Sequence, residues 1–317
     1  VKEKIGQLTI VGFEGVDPSE EVLNLIEEFG IGGVILFKRN IEDPTQIREL
    51  IKLLQKSSKI PLFIAIDHEG GRISRLDKPF TKFPSAAIIS SLEEAYSIGK
   101  TMGKELKDVG INMNLAPVLD INNNPNSPIG DRSFGNDPQK VAVFGNSMIN
   151  GMKDMGIIPV AKHFPGYGSI SIDPHLELPY RNLNRENISP FKYVIENGVE
   201  AIMTAHVIYK DIDVSMPATM SKNIIDGILR KELGFRGLVI TDDLEMGAIS
   251  KNFPIEEVAI KGIEAGNDIL LICHSLDTQE RSIKAILDKI STDSSFRERV
   301  YKSIDKIEKI KKRHLLI

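Results

Sequence analysis

The sequence is short of the features that mark several protein classes. It has one cysteine, Cys273, which rules out an internal disulfide framework. That residue closes an apolar run beginning at Asp268 and reads as a small buried hydrophobe. No apolar stretch approaches the roughly 20 residues of a membrane-spanning helix. The net charge of −4 leaves no electrostatic footprint for nucleic acid. The only cationic run, Lys309–Arg313, continues the helical spacing of Ile304, Ile307 and Ile310, and so reads as a solvated helix face. No secretory leader is visible, because Val1-Lys2-Glu3-Lys4 leads straight into a strand-like segment. The cytoplasm is therefore the expected compartment. No G-x-G-x-x-G follows the first strand-like run, which weakens a dinucleotide-binding reading. No H-x-H or H-x-x-x-H pair stands at a strand end, and neither a metal nor a cofactor is expected.

What is present is regular. Eight apolar runs recur: Leu8–Phe13, Gly33–Phe37, Leu62–Asp67, Asn112–Leu119, Ile158–His163, Ala201–His206, Gly237–Asp242 and Asp268–Cys273. Most are continuous rather than alternating, which is how strands buried on both faces of a parallel sheet read. Amphipathic segments lie between them, including Glu20–Phe29, Pro44–Ser57, Leu92–Val109, Pro138–Met155, Ser221–Leu233 and Ile255–Ala265. Eight strands alternating with helices predict an α/β protein with a single-domain (β/α)8 TIM-type barrel. A doubly wound open sheet is the runner-up. No composition break divides the chain, so residues 1–317 read as one catalytic domain with a C-terminal helix, about 295–317, packed outside it.

A barrel carries its active site at the C-terminal ends of its strands. Five of the six histidines fall at such ends or in the loops after them: His68, His163, His175, His206 and His274. Asp67 and Glu69 follow the third run, Asp120 the fourth, and Asp242-Asp243 the seventh. The loop after the fifth run, from Lys162 to Pro179, holds two glycines and three prolines and is therefore a shaped loop. Within it Asp173 and His175 lie two apart, a spacing at which a carboxylate can orient an imidazole for proton transfer. The plainer reading is an Asx-type turn beside an exposed histidine. Asp242, where an apolar strand ends, suits a nucleophile at an anomeric carbon, and the plainer reading is that Asp243 or Asp242 caps the following helix. Gly70-Gly71 reads as a tight turn.

At this point the chain resembles a known family. Lys162–Gly168 with Asp173-Pro174-His175, Ile64–Arg75, Ile129–Pro138, Val239–Met246 and the opening Lys4–Gly15 are similar to segments of the β-N-acetylhexosaminidases of glycoside hydrolase family 3. The resemblance implies a retaining exo-β-N-acetylglucosaminidase acting on muropeptides or chitooligosaccharides, with a role in peptidoglycan recycling. It implies that Asp242 is the nucleophile, that His175 is the acid/base, and that Asp173 is its partner. It further implies that Asp67, Arg75, Arg132, Lys162 and His163 bind the sugar. A carbohydrate containing N-acetylglucosamine is then the partner.

Two departures stand out. Tyr167 occupies a position where the family usually has histidine, and Pro174 one where it usually has serine or threonine. Other readings are a phosphorylase or a β-glucosidase of the same family, an aldolase with Lys162 as Schiff base, and a sugar-binding protein on an inactivated barrel.

Overall fold

The computed structural model describes residues 2–124, 126–168 and 170–315. Eight strands form a closed parallel barrel: β1 Thr9–Val11, β2 Gly33–Leu36, β3 Phe63–Ile66, β4 Met113–Asn114, β5 Ile158–Phe164, β6 Ala201–Thr204, β7 Leu238–Asp243 and β8 Ile269–Ile272. Each pairs with its sequence neighbours, and β1 closes the ring on β8, with Thr9 opposite Leu270. The open-sheet alternative is thus excluded. Each of the eight runs read from the sequence matches a barrel strand, and in the fifth and seventh the strand ends one residue later, at Phe164 and Asp243. In the fourth only Met113 and Asn114 lie in regular register with β3 and β5, and backbone bonds continue past them, from the Leu115 N–H to the Ile66 carbonyl and from the Val160 N–H to the Ala116 carbonyl. Pro117 has no N–H to offer a ladder, but its carbonyl accepts the Lys162 N–H at 3.2 Å, beside an isolated bridge between Val118 and Lys162.

The continuous apolar runs follow from burial on both faces. In β3, Phe63 and Ala65 belong to one apolar cluster and Ile64 and Ile66 to the other. In β7, Leu238 and Ile240 lie with the first cluster and Val239 with the second. With a side-chain period of two, the face carrying Phe63 and Ala65 next presents Asp67, and that carrying Leu238 and Ile240 next presents Asp242. The polar site is the barrel's interior face continued past the end of its apolar filling.

Helices surround the barrel: α1 Glu20–Phe29, α2 Pro44–Lys56, α3 Leu92–Asp108, α4 Pro138–Asp154, α5 Ser189–Glu196, α6 Ile255–Ala265, α7 Leu276–Thr292 and α8 Ser294–His314, with a π-helical segment Asn223–Glu232 ahead of β7. Side-chain caps start many of them. Asp43 accepts from the N–H groups of Thr45 and Gln46, with Pro44 in the first turn, and Asp137 accepts from Gln139 ahead of Pro138. Helices α3 and α4 pack at glycines. A methyl on Gly99 would meet the Met148 carbonyl oxygen at 2.3 Å, and one on Gly151 the Tyr96 carbonyl oxygen at 2.2 Å.

The sequence reading needs correction in two places. The N-terminal residues form a helical turn, Lys2–Ile5, and a 3-10 turn, Gly6–Leu8, before the first strand. The cationic run is not wholly a solvated face. Lys309, Lys312 and Arg313 are exposed, but Lys311 is fully buried. Its Nζ donates to Gln7 Oε1 at 2.7 Å and to the Gly32 carbonyl at 2.8 Å, and lies 4.8 Å from the centre of the Phe63 ring. The apolar stripe of α8 packs against the barrel floor, and a lysine beside that stripe is carried inside with it.

Candidate active site

Strand ends and their loops enclose a cavity of about 140 Å³ whose wall includes Asp67, Arg75, Arg132, Lys162, His163, Tyr167, Asp173, His175 and Asp242. Every residue proposed from the sequence as catalytic or sugar-binding lines this one space.

One side is a dense ion cluster. Lys162 Nζ reaches Asp67 Oδ1 at 2.5 Å and Glu69 Oε1 at 2.6 Å. Arg75 Nη2 holds the other Asp67 oxygen at 3.1 Å. Arg132 grips Glu69 with two bonds of 2.8 Å, from Nε to Oε2 and from Nη2 to Oε1. Burial pushes the Asp67 carboxyl up, but Lys162, Arg75 and Arg132 together hold it well below the usual carboxylate range. Burial pulls the Lys162 ammonium down, and the charges of Asp67 and Glu69 more than reverse this. Asp67, Glu69, Arg132 and Lys162 therefore keep their charges, and the geometry of the cluster is fixed by its own pairing. Arg75 Nε is buried without a hydrogen-bond partner.

The opposite side is built around Asp242 at the end of β7. Its Oδ1 accepts the Asp243 backbone N–H at 2.9 Å. Its Oδ2 faces His163 Nε2 at 3.9 Å and the Tyr167 hydroxyl at 3.4 Å. Among the described residues, no lysine or arginine pairs with it. Burial raises the Asp242 carboxyl, and His163, His206 and Lys162 outweigh this, so its affinity for a proton falls below normal. His163 is anchored from behind, with Nδ1 2.7 Å from Asp120 Oδ2. The other Asp120 oxygen accepts the Tyr167 N–H at 2.7 Å. The register of β5 against β6 shifts between Ala161 and Phe164, and the adjacent Lys162 and His163 both line the cavity. The Lys162–His163 peptide is cis.

Asp243 serves as a brace. Its Oδ1 accepts from the Glu245 and Cys273 N–H groups, and its carbonyl lies 2.9 Å from His206 Nε2. The capping reading fails for both aspartates, because the next helical turn, Gly247–Ser250, has no side-chain cap: Asp243 braces the turn and the end of β8, and the Asp242 side chain lies at the cavity.

Asp173 and His175 form the expected pair. Asp173 Oδ1 takes the His175 backbone N–H and lies near His175 Nδ1, both at 2.9 Å. Partial burial raises the Asp173 carboxyl, and the hydrogen bonds from His175 bring it net below its ordinary value. The local turn is an Asx turn whose imidazole also borders the cavity. The pair is seated on the short helical turn Gly247–Ser250 that follows β7. Gly247 N–H donates to the His175 carbonyl at 3.0 Å and Ala248 N–H to that of Pro174 at 2.9 Å. A methyl on Gly247 would meet the His175 oxygen at 2.5 Å. Docking uses the Pro174 carbonyl, so its missing N–H costs this contact nothing.

Glu69 and Asp120 stood at strand ends in the sequence without a role. Their position there was the only signal. Their partners, Arg132 and Lys162 for one and His163 and Tyr167 for the other, come from parts of the chain distant in sequence. Among the described residues, no group of three or more His, Cys, Asp or Glu side chains could hold a metal ion. No helix among them is long and apolar enough to cross a membrane.

The family model described as the glycosyl hydrolase family 3 N terminal domain matches residues 1–310. A β-hexosaminidase of Nitrosomonas eutropha is 37% identical over 270 residues, covering 81% of this chain and 77% of its own. The solved family 3 β-N-acetylglucosaminidase from Paenibacillus sp. superposes with a TM-score of 0.96 at 39% identity. That match covers 99% of this chain and 62% of that one, so this chain spans under two thirds of that protein's length. A β-N-acetylhexosaminidase from Beutenbergia cavernae matches with a TM-score of 0.93 at 29% identity, over 98% of both chains.

Proposed function

Since the chain belongs to glycosyl hydrolase family 3 and is a glycoside hydrolase of the β-hexosaminidase kind, we propose that it is a retaining exo-β-N-acetylglucosaminidase. The observation that carries this reading is the shared cavity, in which a carboxylate free of any lysine or arginine faces the same space as a hydrogen-bonded Asp–His pair.

In this reading Asp242 supplies the nucleophile. An oxygen lone pair of its carboxylate bonds to the anomeric carbon as the bond to the leaving oxygen breaks. His175, its Nδ1 held by Asp173, gives a proton from Nε2 to that oxygen. It then takes one from water, which attacks the glycosyl-enzyme and releases the sugar with net retention. Asp67, Arg75, Arg132, Lys162 and His163 fix the terminal sugar through charge-assisted hydrogen bonds. The unpartnered Arg75 Nε is a donor suited to that task. The cavity is small, which suits one terminal sugar better than the interior of a chain. Nucleophile and proton donor both come from the protein, so no cofactor enters the scheme. Residues 1–317 act as one catalytic barrel domain, with the last helix outside it. Muropeptides are the natural substrate in this reading, with peptidoglycan recycling in the cytoplasm as the setting. Chitooligosaccharides are the alternative.

Release of nitrophenol from the β-N-acetylglucosaminide and the β-glucoside, each with and without phosphate, tests the proposal. Turnover of the N-acetylated compound alone, indifferent to phosphate, is expected. Acceleration by phosphate would make the protein a phosphorylase, turnover of the glucoside a β-glucosidase, and silence on both a binding protein.

A further inference from the structure

Tyr167 is placed too firmly, and too close to the reacting carboxylate, to be a mere replacement for the family's usual histidine. Its backbone is held on both sides: the N–H by Asp120 Oδ1 at 2.7 Å and the carbonyl by Arg181 Nη1 at 2.5 Å. The ring packs on His163 with centroids 4.7 Å apart, and the side chain is buried. These contacts aim the hydroxyl at Asp242 Oδ2, 3.4 Å away. That distance is long for an O–H···O bond, and a small rotation of either side chain on substrate binding would bring it into range.

We propose that Tyr167 is a positioning residue for the nucleophile, its hydroxyl fixing the orientation of the Asp242 carboxylate and holding it ionised by donating a hydrogen bond to Oδ2. This rests on the reading of Asp242 as nucleophile.

Asp242 has few other donors. Oδ1 has the Asp243 N–H, and His163 Nε2 is 3.9 Å from Oδ2, beyond hydrogen-bond range. The charged and titratable groups that bear on Asp242 are His163, His206 and Lys162. Those that face Tyr167 are Asp242, Asp120 and Tyr209, with the His206 backbone N–H at its hydroxyl, the His163 ring stacked beside it and Arg181 on its carbonyl. Burial, and then the charge of Asp242, push the Tyr167 hydroxyl well above its usual range. It therefore keeps its proton throughout the reaction and serves as a donor at every working pH. A histidine at this position would instead change charge within the working range, beside the nucleophile. The exchange replaces a titrating neighbour of Asp242 with a constant one.

The test compares wild type with Tyr167→Phe, Tyr167→His and Asp242→Asn. It measures kcat and KM on the nitrophenyl β-N-acetylglucosaminide across pH, with thermal melts as the folding control. The acid limb of kcat/KM reports the group that must be ionised in the free enzyme. Removing one donor from the carboxylate should move that limb up by roughly half to one pH unit and lower kcat on the order of tenfold, with KM changed less than about twofold. Tyr167→His should add a second titration to the profile near neutral pH. A purely structural role for Tyr167 would lower the melting temperature and leave the acid limb in place, and that result overturns the proposal. So does a Tyr167→Phe enzyme matching wild type in both kcat and acid limb while Asp242→Asn is inactive. Retained activity in Asp242→Asn would instead remove the reading on which the proposal stands.

Discussion

Two clusters of buried charge lie at opposite ends of the barrel, and they are satisfied in different ways. At the N-terminal end, Asp268, the residue before β8, is fully buried. Its two oxygens take bonds from Arg230 at 2.6 Å, Ser303 at 2.7 Å, Lys306 at 3.0 Å, the Val239 N–H at 3.1 Å and Arg299 at 3.2 Å. Three of these donors, Arg299, Ser303 and Lys306, belong to α8, so the cluster ties the last helix to the barrel. At the C-terminal end Lys162, Arg75 and Arg132 pair with Asp67 and Glu69, with Arg75 Nε left over, while Asp242 keeps only the Asp243 N–H, a long tyrosine contact and a distant imidazole. A carboxylate surrounded by cations is anchored and chemically quiet. One kept ionised by its surroundings, yet directly paired with no lysine or arginine, is available to attack carbon. The contrast agrees with the division of labour in such barrels, with chemistry at the C-terminal face and stability at the other.

The largest effect expected is at Asp242. Asp242→Asn should lower kcat on the order of 10⁴-fold or more while the chain still melts cooperatively at close to the wild-type temperature, because burial opposes the Asp242 charge and His163, His206 and Lys162 favour it. Steady-state kinetics beside a thermal melt would check both halves. Asp268→Ala should do the reverse. It strands Arg230, Arg299 and Lys306 and should cost about 3–5 kcal/mol of stability, with kcat per folded molecule unchanged. Denaturant titration gives the first quantity and active-site titration the second. A catalytic loss at Asp268 as large as that at Asp242 would erase the distinction between the two ends.

The smallest effect concerns Lys311. Burial among neutral groups brings its ammonium from 10.5 down to about 7. Between those values the unfolded chain binds more protons than the folded one, so the Lys311 contribution to stability rises with pH across that window. Above it the contribution is fully present, and it is lost as pH falls through about 7. Lys311→Met should flatten this part of the stability profile, which melts at a series of pH values would reveal.

The fold was legible because burial on both faces of each strand leaves a continuous apolar run, and β3 and β7 read that way directly. Helices α5 and α7 were not singled out in the sequence. The site was legible in outline because the same strands put Asp67, Lys162 and Asp242 where the apolar filling stops. The pairing inside it was not. Nothing local in the sequence says that Glu69 takes Arg132 in two bonds, that Asp120 backs His163, or that the Pro174–His175 turn rests on Gly247, since each contact joins loops far apart in the chain. Lys311 misled for the same reason: its spacing marks a helix flank, and only the barrel floor beneath α8 shows that this flank is covered.

The central claim is that Asp242 attacks the sugar and that water then displaces it. Proton NMR of the sugar first released from a β-N-acetylglucosaminide, recorded before the anomers equilibrate, tests this most directly. Two displacements predict that the β anomer appears first. Initial release of the α anomer would mean a single displacement by water, and Asp242 could not then be the nucleophile.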